Sequence, residues 1–367
     1  MKAFLSKFNV LLLLGVLLAF VSCEEKVKQK PLTLQNIEAK HTSGVVLIKN
    51  TYYYTITFDG GATFYFTGIK EDGTPENLTL DLDEITPNTI FGTGFFITKD
   101  GMIATNSHVI TPMVDVESVR STIVEAIGYL ANECTKEVND LNEQLGMLRL
   151  AILATDDYYE EQELSEKYEE LQEERDEYQE FINNAQSLRG KECKYGMTQD
   201  IGIAYNDTHV SSTSDFVGCV ELKDNPEKDL AIIQLKSKVT PEGKYVFKVP
   251  ETNNATNSKN KEDQKDEETS TTGKGLHMIG FNLGPNLALT EQGIKAQITS
   301  GEISQDTDAT QIMYTIPSLP GSSGSPVIDR YGKLVAINHA GISSTQNFNY
   351  GIKAIHLRKM LNEVLGK

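Results

Sequence analysis

Three short stretches of the sequence carry a histidine, an aspartate and a serine, in that order. His108, Asp229 and Ser323 lie within residues 104–109, 228–235 and 319–328. A serine hydroxyl is a weak nucleophile at neutral pH and needs a general base within hydrogen-bond reach. An imidazole suits that role because it exchanges a proton near neutral pH, and a neighbouring carboxylate stabilises the imidazolium. Taken alone, each stretch has a plainer interpretation, namely a structural histidine, a capping aspartate or a polar turn.

Together, the stretches resemble the signatures of the chymotrypsin-fold (trypsin-like) serine proteases. These signatures are Gly-x-Gly-Phe at 92–95, Thr-x-x-His at 105–108, Asp-Leu-Ala at 229–231 and Gly-x-Ser-Gly-x-Pro at 321–326. The resemblance covers residues 45–113 and 195–367. It implies a mainly β chain with a double β-barrel, a triad of His108, Asp229 and Ser323, and hydrolysis of peptide bonds through an acyl-enzyme. It implies neither a metal nor another cofactor.

The same resemblance assigns the oxyanion hole to the N–H groups of Gly321 and Ser323. Ser323 stands between glycines because its turn must bring backbone N–H groups close to the substrate carbonyl, and one such donor lowers the barrier by ~3 kcal/mol. Ser322 and Ser325 are offset from the nucleophile's place in the motif. Ser323 is therefore the predicted nucleophile.

The substrate pocket is expected at Pro317, Ser318, Asn338 and His339. Pro317 stands six residues before Ser323, where trypsin-like enzymes carry the aspartate that binds basic side chains. A preference for Lys or Arg is therefore not expected. A histidine on the pocket strand resembles the glutamyl endopeptidases, but His339 comes one residue late for that role, and a one-residue shift turns a strand side chain to the other face. An acidic preference remains an alternative.

The N-terminus predicts export. Residues 1–22 combine Lys2 and Lys7 with an apolar run that is too short to span a bilayer. Cys23 follows a small residue and precedes two glutamates, which resembles the lipobox of bacterial lipoproteins. We therefore expect a lipid-anchored envelope protein, at the outer membrane or cell surface, that contacts membrane only through this anchor. The alternative is an ordinary cleaved signal peptide. Residues 23–43 are interpreted as a tether.

The protease domain is predicted at 44–113 and 195–367, interrupted by residues 114–194. Apolar residues in this insertion recur at alternating steps of three and four, from Ile123 to Ile152 and from Leu164 to Ala185. That pattern predicts an antiparallel helical coiled-coil hairpin about 50 Å long, at 1.5 Å per residue. The hairpin is either a spacer or an arm for a protein partner or self-association. The alternative function is binding: the protein would be a non-catalytic surface lipoprotein with a protease-like fold, and the arm would be its interaction site.

The chain has 52 acidic and 34 basic residues and a formal net charge of −18. This balance argues against nucleic acid and against electrostatic docking on anionic lipid. Residues 157–180 alone hold 12 acidic and 2 basic residues, so most of the charge belongs to the arm. Residues 251–272 are polar and charged, which predicts a disordered loop inside the protease domain.

Cysteine spacing gives a weaker signal. Cys193 and Cys219 flank predicted strand and are candidates for a disulfide, whereas Cys134 falls within a predicted helix. No Cys-x-x-Cys pair exists, so a zinc or redox site is not expected.

Overall fold

The computed structural model describes residues 30–70, 73–112, 114–188, 190–251, 275–305, 308–341 and 348–366. The predicted signal peptide, Cys23 and all but the first residue of the predicted loop at 251–272 lie outside these ranges. The strands are β1 Val45–Phe58, β2 Thr63–Phe66, β3 Gly68–Ile69, β4 Pro75–Glu76, β5 Asn88–Phe96, β6 Met102–Thr105, β7 Cys193–Tyr205, β8 Val217–Asn225, β9 Leu230–Leu235, β10 Gly275–Gly280, β11 Leu289–Thr290, β12 Gly293–Ile294, β13 Gln297–Gln305, β14 Gln311–Tyr314, β15 Pro326–Asp329, β16 Leu334–Gly341 and β17 Asn349–Lys353. The helices are α1 Leu34–His41, α2 Ser107–Ile110, α3 Val116–Ala154, α4 Tyr158–Leu188, α5 Pro285–Ala288 and α6 Ile355–Val364.

Two closed antiparallel barrels of six strands form the body of the molecule. The first runs β1-β5-β6-β9-β8-β7 and closes through pairing of β7 with β1, and the second runs β10-β13-β14-β17-β16-β15. If the six strands of each barrel are numbered along the chain, both barrels have the same spatial order, 1-2-3-6-5-4. The shared order confirms the predicted chymotrypsin-like double β-barrel.

Strand β1 is one continuous strand of 14 residues, and β2 follows it. From Tyr52 to Phe58 buried and partly exposed residues alternate, as a strand with one buried face requires. The long strand pairs with β7 on one side and with β5 and then β2 on the other, so every part of it has a partner.

The predicted helical hairpin is confirmed as α3 and α4, of 39 and 31 residues, inserted between β6 and β7 of the first barrel. At 1.5 Å per residue, α3 is roughly 58 Å long. Apolar side chains are buried between the two helices, namely Ala131, Val138, Leu141, Leu145, Ile182 and Ala185. At the root, Val119, Ile123 and Leu188 pack with the aromatic end of β1. No helix in the described part of the chain is long and apolar enough to cross a membrane.

Part of the predicted tether is folded. Helix α1 is capped by Thr33, whose side chain accepts a hydrogen bond from Asn36 N. Its Ile37 is fully buried in the core, and just before the helix Leu32 N donates to Arg330 O at 2.8 Å. The second half of residues 23–43 is therefore attached to the protease body.

The predicted pairing of Cys193 with Cys219 is wrong, because both are free cysteines. Cys193 lies opposite Phe58 at the start of β7, whereas Cys219 follows Gly218, which lies opposite Gly202. Nine residues of strand separate the two places, which is about 30 Å at ~3.3 Å per residue. A disulfide needs Cα atoms within about 7 Å.

Candidate active site

The three predicted catalytic residues stand on loops of both barrels. His108 belongs to the short helix α2 that follows β6, and Asp229 occupies the turn between β8 and β9. Ser323 lies in the loop that leads into β15 of the second barrel. Hydrogen bonds from Thr93 to the Ser323 loop and from His339 to Asp229 join the two barrels here. The candidate site therefore lies where the barrels meet.

The structure brings His108 and Asp229 together. Nδ1 of His108 lies 2.8 Å from Oδ2 and 3.0 Å from Oδ1 of Asp229, and the His108 backbone N donates to Oδ1 at 2.9 Å. Since an ionised carboxylate only accepts hydrogen bonds, Nδ1 must carry the hydrogen. In the neutral ring Nε2 is then left as the acceptor, which is the atom that a general base uses.

Local backbone structure places the Asp229 carboxylate. Asp229 ends a 3-10 turn in the left-handed region, with φ +47°. Asn106 Nδ2 donates to the Asp229 carbonyl at 2.8 Å, so residues beside His108 hold both the main chain and the side chain of Asp229. Asn106 was missed by the sequence reasoning, although its place two residues before His108 is a usable signal.

Burial raises the pKa of Asp229, but hydrogen bonds from His108 and His339, together with the charge and backbone N–H of His108, lower it more, to about 2. The Asp229 side chain is only 14% exposed. Such a buried charge needs hydrogen-bond donors to offset lost hydration. Asp229 is therefore an ionised carboxylate across the neutral pH range.

Thr93 holds the Ser323 loop against the first barrel. Its backbone N donates to Ser323 O at 2.8 Å, and its hydroxyl donates to Gly321 O at 2.8 Å. The same hydroxyl accepts a hydrogen bond from Phe281 N at 3.0 Å. Thr93, the variable residue of the Gly-x-Gly-Phe signature, thus links the first barrel to the Ser323 loop, a role that was not expected from the sequence.

Two backbone N–H groups of this loop have no acceptor among the residues that the structure describes. Ser322 N, Gly324 N and Ser325 N donate to Leu319 O, Asn338 O and Ser322 O at 2.9–3.0 Å. Within the described part of the chain, neither Gly321 N nor Ser323 N donates to a backbone carbonyl. These are the two donors expected to form the oxyanion hole.

The conformation of Gly321 requires glycine. Its φ is +91°, and a Cβ there would lie 2.5 Å from Gly284 N and 2.6 Å from Phe281 O.

Ser323 itself is partly exposed. Among the described residues the His108 ring is hydrogen-bonded to Asp229 and to no serine. The hydrogen bond between a catalytic serine and its histidine often forms fully only when substrate is bound.

The predicted pocket residues do not form one polar wall. Pro317 is exposed, whereas Asn338 is 1% exposed. The Asn338 amide donates to Ser318 Oγ at 3.0 Å and to Ser322 O at 3.1 Å, and it accepts from Tyr314 Oη at 2.7 Å. The Asn338 amide therefore holds the nucleophile loop, and its place in a substrate pocket stays a prediction.

His339, the last of the predicted pocket residues, lies beside Asp229. Its Nδ1 is hydrogen-bonded to Oδ2 of Asp229, so the ring contacts the His108–Asp229 pair. The pairing of β16 with β17 shifts register between Asn338 and Ala340, which leaves His339 as the extra residue of a β-bulge. Bulges redirect side chains and are frequent beside active sites. The one-residue offset of His339 was the sequence signal for this placement.

Ligand atoms of His108, Asp229 and His339 lie within 4.8 Å of one another, close enough for a metal ion. However, the histidine nitrogens that face the carboxylate are already hydrogen-bonded to it. These hydrogen bonds explain why the three side chains lie close together, so we assign no metal to the cluster.

Comparison with known proteins agrees with the fold. Residues 200–337, less than half of the chain, match the family described as trypsin-like peptidase domain. The two barrels and the ordered motifs agree with this match to a trypsin-like peptidase domain. No curated protein matches the sequence.

Two solved structures are distantly similar. A serine endoprotease from Yersinia pestis is 11% identical, with 92% of this chain and 68% of that chain covered at a TM-score of 0.45. The HtrA-type protease AlgW, solved with a decapeptide, is 13% identical, with 91% and 68% covered at a TM-score of 0.42.

Proposed function

We propose that this protein is a serine endopeptidase that hydrolyses peptide bonds through an acyl-enzyme on Ser323. His108 Nε2 takes the proton of the Ser323 hydroxyl, Asp229 orients the imidazole, and the N–H groups of Gly321 and Ser323 bind the developing oxyanion. The observation that carries the proposal is the contact of His108 Nδ1 with both carboxylate oxygens of Asp229.

In the proposed reaction the Ser323 oxygen bonds to the substrate carbonyl carbon as its proton passes to His108. The amine leaves with that proton, and an ester remains on Ser323. Water then attacks the ester and gives its proton to His108, which returns it to the serine. No cofactor is required by this sequence of steps.

A serine-directed fluorophosphonate tests the proposal. We expect the wild-type protein to be labelled and Ser323→Ala to be neither labelled nor active on peptides. Ser325→Ala is the matched control, because this buried hydroxyl of the same loop has no hydrogen-bond partner in the described part of the chain. A folded wild-type protein that takes no label would contradict the proposal and favour the non-catalytic alternative.

For specificity, we propose that the enzyme does not prefer Lys or Arg at the cleaved bond. Residues 316–319 and 336–339, which include the predicted pocket, contain no carboxylate to pair with a basic side chain. A peptide-library cleavage profile tests this proposal, and dominant cleavage after Lys or Arg would overturn it.

We propose for the arm a docking role at its tip, formed by the end of α3 and the start of α4. The tip exposes large apolar side chains with 64–81% of their surface accessible, namely Met147, Leu150, Leu153, Tyr158 and Tyr159. Beside them lies the acidic segment 157–180. An exposed apolar cluster of this kind commonly marks a protein contact, and charge complementarity favours a partner with a basic rim.

The test compares a protein substrate with a short peptide that contains the same cleavage site. Leu150→Gln with Leu153→Gln is expected to slow cleavage of the protein and to leave cleavage of the peptide unchanged. Leu130→Gln, at a residue 51% exposed and further from the tip, is the control. Equal cleavage of the protein by all variants would leave the tip without a recruiting role.

Lipidation at Cys23 and an envelope location remain part of the proposal. Cys23→Ser is expected to abolish incorporation of radiolabelled palmitate and to release the protein from the membrane fraction, whereas Cys134→Ser is expected to change neither. Palmitate labelling of the Cys23→Ser variant would overturn the assignment.

A further inference from the structure

Two histidines share one carboxylate oxygen in this structure. Oδ2 of Asp229 accepts from His108 Nδ1 at 2.8 Å and also from His339 Nδ1. The two rings meet edge to face, with centroids 6.3 Å apart. Both Nδ1 atoms must carry hydrogen, because the ionised carboxylate can only accept. The Asp229 carboxylate therefore has three donors, which are the two rings and the His108 backbone N–H.

The His339 contact crosses between the barrels, whereas the other two do not. Asp229 and His108 both belong to the first barrel, and His339 stands on β16 of the second. The second barrel also carries the Ser323 loop, which is tied to β16 through Gly324 N and Asn338 O at 2.9 Å. The His339–Asp229 bond thus fixes the carboxylate relative to the barrel that carries the nucleophile.

The bulge makes this contact specific to residue 339. A regular strand would place adjacent side chains on opposite faces, and Asn338 already points into the interior against Ser318 and Ser322. Because His339 is the extra residue between Asn338 and Ala340, it has no opposite residue on β17. Its side chain is 26% exposed and is engaged with Asp229.

We propose that His339 is a positioning residue that holds the Asp229 carboxylate in the orientation needed by His108. This inference rests on the proposed function, since it concerns the same reaction. His339 acts through Asp229, and its role depends on an N–H donor at the place of Nδ1. Without that donor the carboxylate keeps its bonds to His108 and loses its link to the second barrel.

Fluorophosphonate inactivation kinetics test this role, because they separate the reaction rate constant at saturation from the binding constant of the probe. Asn keeps an N–H donor near the place of Nδ1, and Leu has a similar shape without a donor. We expect His339→Leu to lower the saturating rate constant about tenfold with an unchanged binding constant, as for loss of one charge-assisted hydrogen bond. His339→Asn is expected to stay within about twofold of wild type.

His277→Leu is the matched control. His277 also stands on a strand of the second barrel and its Nδ1 bonds to Ser300 Oγ at 2.8 Å, outside the site. Wild-type kinetics in folded His339→Leu would overturn the inference, as would a folded His339→Asn as slow as the Leu variant. If His339→Leu does not fold, His339→Ala replaces it as the variant without a donor, with the same expected loss. Failure of Ser323 to react in the wild-type protein would overturn the proposed function instead.

Discussion

The hydroxyl of Thr93 donates a hydrogen bond to the carbonyl of Gly321 at 2.8 Å, from the first barrel to the second. The two residues are far apart in sequence, and the bond orients the peptide that follows Gly321. Together with the bond from Thr93 N to the Ser323 carbonyl, it holds the loop at the two residues whose N–H groups are the candidate oxyanion donors. The geometry of the candidate oxyanion hole therefore depends on contact between the barrels.

Thr93→Val is expected to impair the site with a modest loss of stability. The substitution keeps the shape of the side chain but removes the donor to Gly321 O and the acceptor for Phe281 N. We expect a loss of about 1–3 kcal/mol in the free energy of unfolding and slower fluorophosphonate labelling. Thr89→Val on the same strand, where the hydroxyl contacts Thr51 at the surface, is the control. Labelling of both variants at the wild-type rate would refute a clamping role for Thr93.

Gly321→Ala is expected to lower activity by about 100-fold or more, the usual effect of losing one oxyanion donor. The added Cβ would lie 2.5 Å from Gly284 N, so the loop must move. Gly243→Ala is the control, since Gly243 also has positive φ, at +79°, but has nothing within 4 Å of an added Cβ. The control separates backbone strain from steric displacement. Peptide hydrolysis and the melting temperature are measured for both, and similar losses of activity would contradict a specific role for Gly321.

The three candidate catalytic residues could be picked out from the sequence because their motifs are local. The local backbone conformation requires glycines on either side of Ser323, and a short Thr-x-x-His stretch after a strand is enough to place His108. The helical arm was equally accessible, since an apolar repeat over Ile123–Ile152 reports one buried helix face. Such features need no knowledge of how the barrels close.

The contacts of Asn338 and His339 could not be predicted in this way. They depend on a bulge in β16, which is set by closure of the second barrel and by contact with Asp229 110 residues away in sequence. The distance between Cys193 and Cys219 likewise depends on the register of β7 and β8. These long-range pairings leave no periodic signal in the sequence.

The titration of Asp229 predicts a loss of stability in acid. Its folded pKa of about 2 lies below the ordinary value of 3.8, so the stabilising contribution is complete above pH 4 and is lost as the pH falls through 2. The difference corresponds to about 2 kcal/mol. Denaturant unfolding of wild type and Asp229→Asn between pH 6 and pH 2 measures it. We expect the difference in unfolding free energy between the two proteins to shrink towards low pH, and a constant difference would contradict the assignment.

The arm is expected to unfold without loss of the active site. Leu141 is 5% exposed between α3 and α4, and replacing it with Ala removes buried apolar contacts at a cost of about 2–3 kcal/mol. Within the described residues the arm packs on the barrel at its root, through Val119, Ile123 and Leu188. Helical circular dichroism should therefore be lost at a lower temperature while fluorophosphonate labelling of Ser323 keeps its rate. Leu153→Ala, at a residue 76% exposed, is expected to change neither measurement. Loss of labelling in step with loss of helix in Leu141→Ala would instead mean that the arm and the catalytic barrels form one cooperative unit.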